Sequence, residues 1–481
     1  MRTRKYNSLQ ALIPSFLQKV QQKLHQLDKD RLGNYLKRHG SILLFCVATL
    51  IYLSNGKVLG SGDTIPARYL PISILRELDF DLDEFPFLYD RESIKRFPVI
   101  APTFDGENIP YFLIHRHGHY ISQYPPGPAL LALPIYALPV VVGISATSNW
   151  VPHLEKLSAT LITALSVLFL FWTLRELVAE KAALVIAIIY ALGTSAFSVS
   201  SQALWQHGPS QCLLSLALYF LLRGIKADRY IPYASLAIAS AIVMRPTNVL
   251  IALPIGLYIL HKYPHLIVRS ILFALLPLSF LFSYNYVYFG SIMASGYSVA
   301  AKVSVSSFST PFFEGLSGIL LSPSRGLFIY SPILIFSIVG IVQAWTERLV
   351  IFRYLTIGLV LDLLLYSKFA EWGGGYCYGP RLLADLSPIF CLFLYPIFKT
   401  MEGRYFLRIV FLTLGLVSIG FHALGAFWYD FSWDSISHDD AYYDHMWSWT
   451  NGPLVYYGRQ AYYDLGEPFH KVKELLFSFS S

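Results

Sequence analysis

Charge is the scarcest feature of this 481-residue chain: only 14% of its residues are charged, against about 25% in soluble globular domains. That shortage excludes a string of soluble domains, which would need far more polar surface. Cysteine is scarce as well. Cys46, Cys212, Cys377 and Cys391 show no paired spacing and three of them sit in apolar runs, which excludes a disulfide framework or zinc motif and reads as packed small residues. There is no low-complexity linker and no internal repeat of the kind that inverted-repeat transporters display. A cleavable signal is not indicated, because Met1–Gly40 is polar and amphipathic and the apolar run after it lacks a small-residue cleavage site.

Apolar length is what the chain has instead. Hydrophobic residues make up 55% of it and aromatic residues 16%, and several uninterrupted segments reach the roughly 18 to 25 residues needed to cross a hydrocarbon core about 30 Å thick. The expected fold is an all-α polytopic membrane protein in a lipid bilayer. A net charge of +7 is compatible with nucleic-acid binding, but the basic residues are distributed as the positive-inside rule requires, so no nucleic-acid partner is expected. Lysines and arginines from Arg2 to Arg38 place segment 1–40 in the cytoplasm. The acid-rich stretch that follows the first span, from Asp63 to Glu107, belongs to an external loop, 59–156. Basic clusters then recur in alternate loops, at Arg175 with Lys181, Arg223 with Lys226 and Arg229, Lys262 with Arg269, Arg348 with Arg353, and Lys399 with Arg404 and Arg408.

Parity decides one segment. If 127–144 crossed, every later loop would face the wrong way, and Pro128, Pro134 and Pro139 each lack an amide donor, so a re-entrant or interfacial helix is expected there. The spans then fall at about 41–58, 157–177, 182–199, 209–223, 231–244, 247–260, 270–289, 326–345, 353–368, 382–399 and 405–428. That makes about eleven transmembrane helices in a domain covering 41–428, followed by an external C-terminal tail, 429–481. The two short helices around Arg245, roughly 21 Å each, are of the kind that lines a cavity.

With the sides assigned, the polar motifs that packing does not explain nearly all lie outside. Asp63 and Arg68 follow the first span in GSGDTIPARYLP; Tyr124 sits in SQYPPGP, His207 in SQALWQHGP, Arg245 in MRPTN, Arg325 in SPSRG, and Glu371 and Arg381 in KFAEWGGGYCYGPR. Arginines beside apolar helices are unfavourable by about 2.5 to 3.5 kcal/mol on insertion scales and are commonly partnered or functional. Arg245, Arg325 and Arg381 converging on one face would make an anion site, since guanidinium matches phosphate oxygens. Each also has a plainer reading: snorkelling to headgroups for any single arginine, an i,i+4 pair with Asp385 for Arg381, and an interfacial anchor for His207. His115, His117 and His119 alternate as strand or loop residues do and are expected to be solvated rather than metal-bound. Asp362 reads as a helix-packing group, and FDLDE, Phe80–Glu84, as a solvated acidic loop despite its DxD pattern.

This layout resembles the GT-C superfamily of membrane glycosyltransferases, which use polyprenyl-phosphate-linked sugars and include protein O-mannosyltransferases and aminoarabinose transferases. YPPGPALLALPIY, Tyr124–Tyr136, is similar to the proline-led juxtamembrane helix of the O-mannosyltransferases, while SPSRGLFIYSP and WGGGYCYGPRLLADLSP look like sequences of bacterial members. In that superfamily a catalytic acid follows the first helix, and Asp63 stands in that position. The resemblance implies an enzyme of the bacterial plasma membrane that moves a sugar from a polyprenyl-phosphate donor to a glycan, lipid or protein acceptor on the external face. Asp63 would be the base; Arg68, Tyr124, His207, Arg245, Arg325, Glu371 and Arg381 would bind substrate. The leaving phosphate would be stabilised by fixed arginines or by a divalent metal ion, for which no ligands are assigned. One departure stands out: many relatives carry a second acid next to the first, whereas Thr64 follows Asp63, so Glu371 or an acid of Asp79–Glu84 would have to supply it by folding.

Two other classes fit the architecture. A transporter or flippase of lipid-linked or anionic substrates also uses intramembrane charges and broken helices, but it calls for polar groups at mid-bilayer, and an inactive scaffold would tolerate the missing acid. A cavity beside Asp63 holding two of the three arginines would favour the enzyme over the scaffold.

Overall fold

The computed structural model describes residues 29–96, 109–303, 308–346, 349–437 and 445–478. Most of the amphipathic segment 1–40, together with Asp105, Glu107 and Arg348, lies outside the described residues. The chain divides into two compact units, Met1–Val47 and Ala48–Ser481. Within the described residues the first is helical from Lys29, the start of α1 (Lys29–Leu53). The second is mostly helical and carries every residue of the site below.

Three of the described helices are long and apolar enough to cross a membrane: Val151–Arg175, Pro264–Phe289 and Tyr405–Phe427. The short pair around Arg245 forms helices Ile231–Met244 and Val249–Lys262, divided where Pro246 opens a turn. Other expected spans are interrupted. Segment 326–345 divides into Leu327–Tyr330 and Ile335–Thr346 around Pro332. Segment 382–399 becomes a 3₁₀ turn, Arg381–Leu386, and two short helices, Ser387–Leu392 and Tyr395–Thr400, with Pro388 and Pro396 in their first turns. Proline has no amide hydrogen, so each of these positions ends one helix and suits the start of the next. Segment 182–199 ends its α-helix at Leu192 and continues through a π turn, Ala196–Ser200.

Small residues let the central helices approach. A Cβ added at Gly208 would lie 3.1 Å from Thr163 Oγ1 and 3.0 Å from the Ser200 carbonyl oxygen, a close approach of the kind that small residues permit in membrane bundles.

The described residues of loop 59–156 form a folded layer. Helix α2 (Ile65–Arg76) packs on the proline-led helix Gly127–Val141, burying Leu70, Ile72, Phe112, Ala129 and Tyr136. The second of these helices has 15 residues, about 22 Å at 1.5 Å per residue, less than a hydrocarbon core. The histidine run forms an antiparallel hairpin, β1 (Leu113–Arg116) with β2 (His119–Ser122), in the register Leu113↔Ser122 to Arg116↔His119. His117 and Gly118 turn it with φ of +53° and +83°, the left-handed pair that tight hairpins require.

Candidate active site

The stretch after the first helix folds into a 3₁₀ turn, Gly62–Thr64, with Ser61 as its cap, its hydroxyl accepting from the Asp63 amide. This turn presents Asp63 to three donors. Oδ1 accepts from the hydroxyls of Tyr111 and Tyr124, each at 2.8 Å, and Oδ2 accepts from Nη1 of Arg381 at 2.6 Å. The pair is mostly buried, with side-chain exposures of 19% for Asp63 and 13% for Arg381. Burial alone would raise the Asp63 carboxyl, but the Arg381 charge and the hydrogen bonds from Tyr111, Tyr124 and Arg381 outweigh it and hold the group below the usual carboxylate range. Arg381 also lies over the Trp205 ring, 4.7 Å from its centroid, and Trp205 Nε1 donates to the Leu59 carbonyl at 3.1 Å. The Nε of Arg381 is buried with no hydrogen-bond partner among the described residues.

A second charged group lies within electrostatic reach. Arg245 pairs with Asp385, packs on Tyr366 at 5.2 Å and has its Nη1 3.0 Å from Nδ1 of His207. His207 Nδ1 is also 3.0 Å from Asp385 Oδ2. The charges of Arg381 and Asp63 act on the His207 ring, and Arg245 acts on Asp362, which is buried.

These contacts revise several expectations. Arg381 pairs with Asp63 rather than with Asp385, and Asp385 takes Arg245 and His207 instead. His207, read as an interfacial anchor, is buried at 5% exposure. Of the three arginines expected to converge on one face, Arg245 pairs with Asp385, and among the described residues Arg381 alone of the three contacts Asp63. Arg325 is held by Asp434 of the C-terminal tail at 2.5 Å and by the carbonyls of Gly373 and Gly375. A small cleft is lined by Arg325 and Arg381 with Ile319, Trp372, Gly373 and Leu382, and Asp63 does not line it. Glu371 is exposed and supplies no second acid to Asp63. Arg68 pairs at 2.5 Å with buried Glu155, whose other oxygen accepts from the Leu204 amide, so it braces the loop that carries Trp205. Tyr124, expected to bind substrate, instead donates to Asp63.

Tyr111 was missed altogether. Nothing in its surroundings, IPYF, separates it from the other members of a set of 33 tyrosines. The acidic loop was also undervalued: Asp81 is 5% exposed, and His119 Nδ1 lies 3.1 Å from Asp81 Oδ2 and 2.7 Å from Asp83 Oδ2. Asp81, Asp83 and His119, or Asp79, Asp81 and Glu84, bring ligand atoms close enough to hold a metal ion. Neither group includes Asp63.

No curated protein matches the chain by sequence. Among solved structures, it is similar to the Archaeoglobus fulgidus oligosaccharyltransferase in its apo form, with 12% identity, a TM-score of 0.46 and coverage of 85% of this chain and 60% of that one. It is also similar to archaeal oligosaccharyltransferase AglB from the same organism in complex with an inhibitory peptide and a dolichol-phosphate, with 12% identity, a TM-score of 0.42 and coverage of 87% and 61%. The chain thus spans about three fifths of these structures, and likeness at this level carries no function. The family comparison is more direct, and its matched stretch contains His207 and Arg245 but neither Asp63 nor Arg381. Residues 155–289 match the model of the dolichyl-phosphate-mannose-protein mannosyltransferase family, and over that stretch the resemblance to membrane glycosyltransferases holds.

Proposed function

We propose that the protein transfers a sugar from a polyprenyl-phosphate donor to an acceptor hydroxyl or amine, with Asp63 as general base. The observation that carries this reading is the Asp63 carboxylate, kept ionised and oriented by Tyr111, Tyr124 and Arg381 in the loop after the first apolar helix. In the step, the acceptor's O–H or N–H proton passes to Asp63 as its heavy atom bonds to the anomeric carbon. The bond from that carbon to the phosphate oxygen breaks, and its electron pair leaves on the lipid phosphate. Arg381, with Nε unspent, is the nearest cation for that charge, and Arg245 with His207 lies within reach of it. Arg325 is not part of this set, because Asp434 and backbone carbonyls engage it. The family match over 155–289 favours a lipid-phosphate-linked mannose as the first donor to try.

In this reading about eleven helices span the bilayer of a bacterial plasma membrane, with 59–156 and 429–481 on the external side, so that a lipid-anchored donor and a soluble or surface acceptor meet at Asp63. Catalysis with a single acid is tested by sugar transfer from polyprenyl-phosphate donors in proteoliposomes, comparing wild type with Asp63→Asn. Loss of transfer in the variant is expected, and equal activity in the two would remove Asp63 as base. The buried set Arg245, Asp385, His207 and Asp362 is what a transporter of anionic substrates would also need. Lipid-phosphate flux across the same proteoliposomes, unaffected by Asp63→Asn, would favour that second function.

A further inference from the structure

We propose that Tyr111 and Tyr124 are positioning residues that select which oxygen of Asp63 reacts: by engaging Oδ1 they leave Oδ2, the oxygen beside Arg381, to take the acceptor's proton. This rests on the reading of Asp63 as base. A carboxylate offers about four lone-pair directions, two on each oxygen. Both on Oδ1 are spent, on Tyr111 and Tyr124 at 2.8 Å each. Oδ2 receives only Nη1 of Arg381 among the described residues, at 2.6 Å, which leaves one direction open. The acceptor's proton therefore arrives at Oδ2, forming an Oδ2–H bond as the acceptor's own O–H or N–H bond breaks.

The arrangement is built rather than incidental. Tyr111 precedes β1 and Tyr124 follows β2, so the two hydroxyls come from the two strands at the open end of one hairpin, tied where the Gln123 amide donates to the Phe112 carbonyl at 3.0 Å. Gly62, next to Asp63, is what lets Tyr111 approach: a Cβ there would lie 2.5 Å from the Tyr111 hydroxyl and 2.7 Å from its ring. Tyr124 is 9% exposed and edge-on to Tyr297, ring centroids 5.7 Å apart. Two donors on one oxygen fix the plane of the carboxylate and stabilise its charged form, two effects that a tyrosine serving only to fill space would lack. Arg381 acts on this carboxylate from the opposite oxygen, and the Asp63 charge in turn acts on His207, Tyr297 and Cys377.

The test is infrared titration of the purified full chain in detergent, following the carboxyl band that Asp63→Asn removes. Its midpoint should move to higher pH in Tyr111→Phe and in Tyr124→Phe, and further in the double variant. Tyr288→Phe, which loses a contact to the Phe80 amide outside the site, should leave it in place. With dolichyl-phosphate-mannose as donor, the acid limb of kcat/KM should move the same way, with kcat/KM falling about 10- to 100-fold as the base loses its alignment. A midpoint that stays at the wild-type value in both single variants would overturn the proposal, and if one variant fails to fold the other still decides it. A fully active Asp63→Asn would instead overturn the base assignment while leaving the titration result intact, so the two failures are distinguishable.

Discussion

Replacing Arg325 by methionine separates the two roles this arginine has been given. As an anion-site residue, which the sequence suggested, its loss would lower activity and leave the fold alone. In the structure its guanidinium donates through Nε to Gly373 at 2.7 Å, and through Nη2 to Gly375 at 3.1 Å and to Asp434 at 2.5 Å. It also lies over Trp433, 5.3 Å from the ring. Both members of the ion pair are buried, at 2% and 1% side-chain exposure. Methionine can fill part of the volume but removes the Arg325 cation from the Asp434 charge, a change that costs about 3 to 5 kcal/mol at buried pairs, to which the Trp433 contact adds about 1 kcal/mol. That is a large share of the roughly 5 to 15 kcal/mol by which folded proteins are stable. Arg325→Met combined with Asp434→Leu should recover most of the loss, because apolar side chains of similar volume often replace a buried pair without penalty. The recovery should fall short by about 1 kcal/mol for the Tyr429 hydroxyl, which donates to Asp434 at 2.6 Å. Denaturant unfolding in detergent gives the three stabilities, and limited proteolysis shows whether the tail from Trp433 onward is released first. If Arg325→Met unfolds within about 0.5 kcal/mol of wild type, the margin of ordinary surface changes, yet loses transfer activity, the structural reading is wrong and Arg325 belongs to the substrate site.

Two further outcomes follow from exposed parts of the fold. His119 has its pKa raised, first by its hydrogen bond to Asp83 and then by the charges of Asp83, Asp81 and Asp79 against the opposing effect of burial. Its contribution is therefore complete below the unfolded value of about 6.5 and is lost as pH rises through the raised folded value. The protection of the Tyr120 amide, which donates to Asp83, measured relative to base-catalysed intrinsic exchange, should fall across that window in wild type and stay constant in His119→Gln. Sidedness is best tested at Glu371, which is exposed, rather than at Cys377, which is 1% exposed and would react slowly on either face. Glu371→Cys with Cys46→Ser should label in intact cells with a membrane-impermeant maleimide, and labelling only after permeabilisation would put the loop on the cytoplasmic side.

The helices were legible where an apolar run ended at a strong local signal. Residues 231–244 coincide with Ile231–Met244 because Pro232 starts that helix and Pro246 follows it, and 405–428 differs from Tyr405–Phe427 by one residue. They were illegible where proline lay inside a run. A proline at the first turn of a new helix and one that kinks a continuous helix look alike in sequence, so Pro332, Pro388 and Pro396 were read through rather than read as breaks. In the site, Asp63 stood out because a lone acid beside glycines follows an apolar run. Its partners did not: Arg381 lies 318 positions away and Tyr111 lies 48 away, and side-chain pairing over such separations leaves no local pattern.

The mispairing of Arg381 and the misread helix at 382–399 have one cause. In an α-helix, residues four apart are offset by about 40°, since each residue turns about 100°, and this made Arg381–Asp385 the natural pair. Arg381–Leu386 is instead a 3₁₀ turn, in which each residue advances about 120° and residues four apart are offset by about 120°. Pro380 precedes the turn and Pro388 follows it closely, so neither end can extend as a regular helix without losing an amide donor. The extra rotation sends Arg381 to Asp63 and leaves Asp385 to face Arg245 and His207. One tight turn thus supplies the cation that holds Asp63 and the anion that holds Arg245, and the charges of Arg245, Arg381 and Asp63 all act on His207. A continuous helix here would have joined Arg381 to Asp385, neutralising both within one segment and leaving Asp63 and Arg245 without their ion-pair partners.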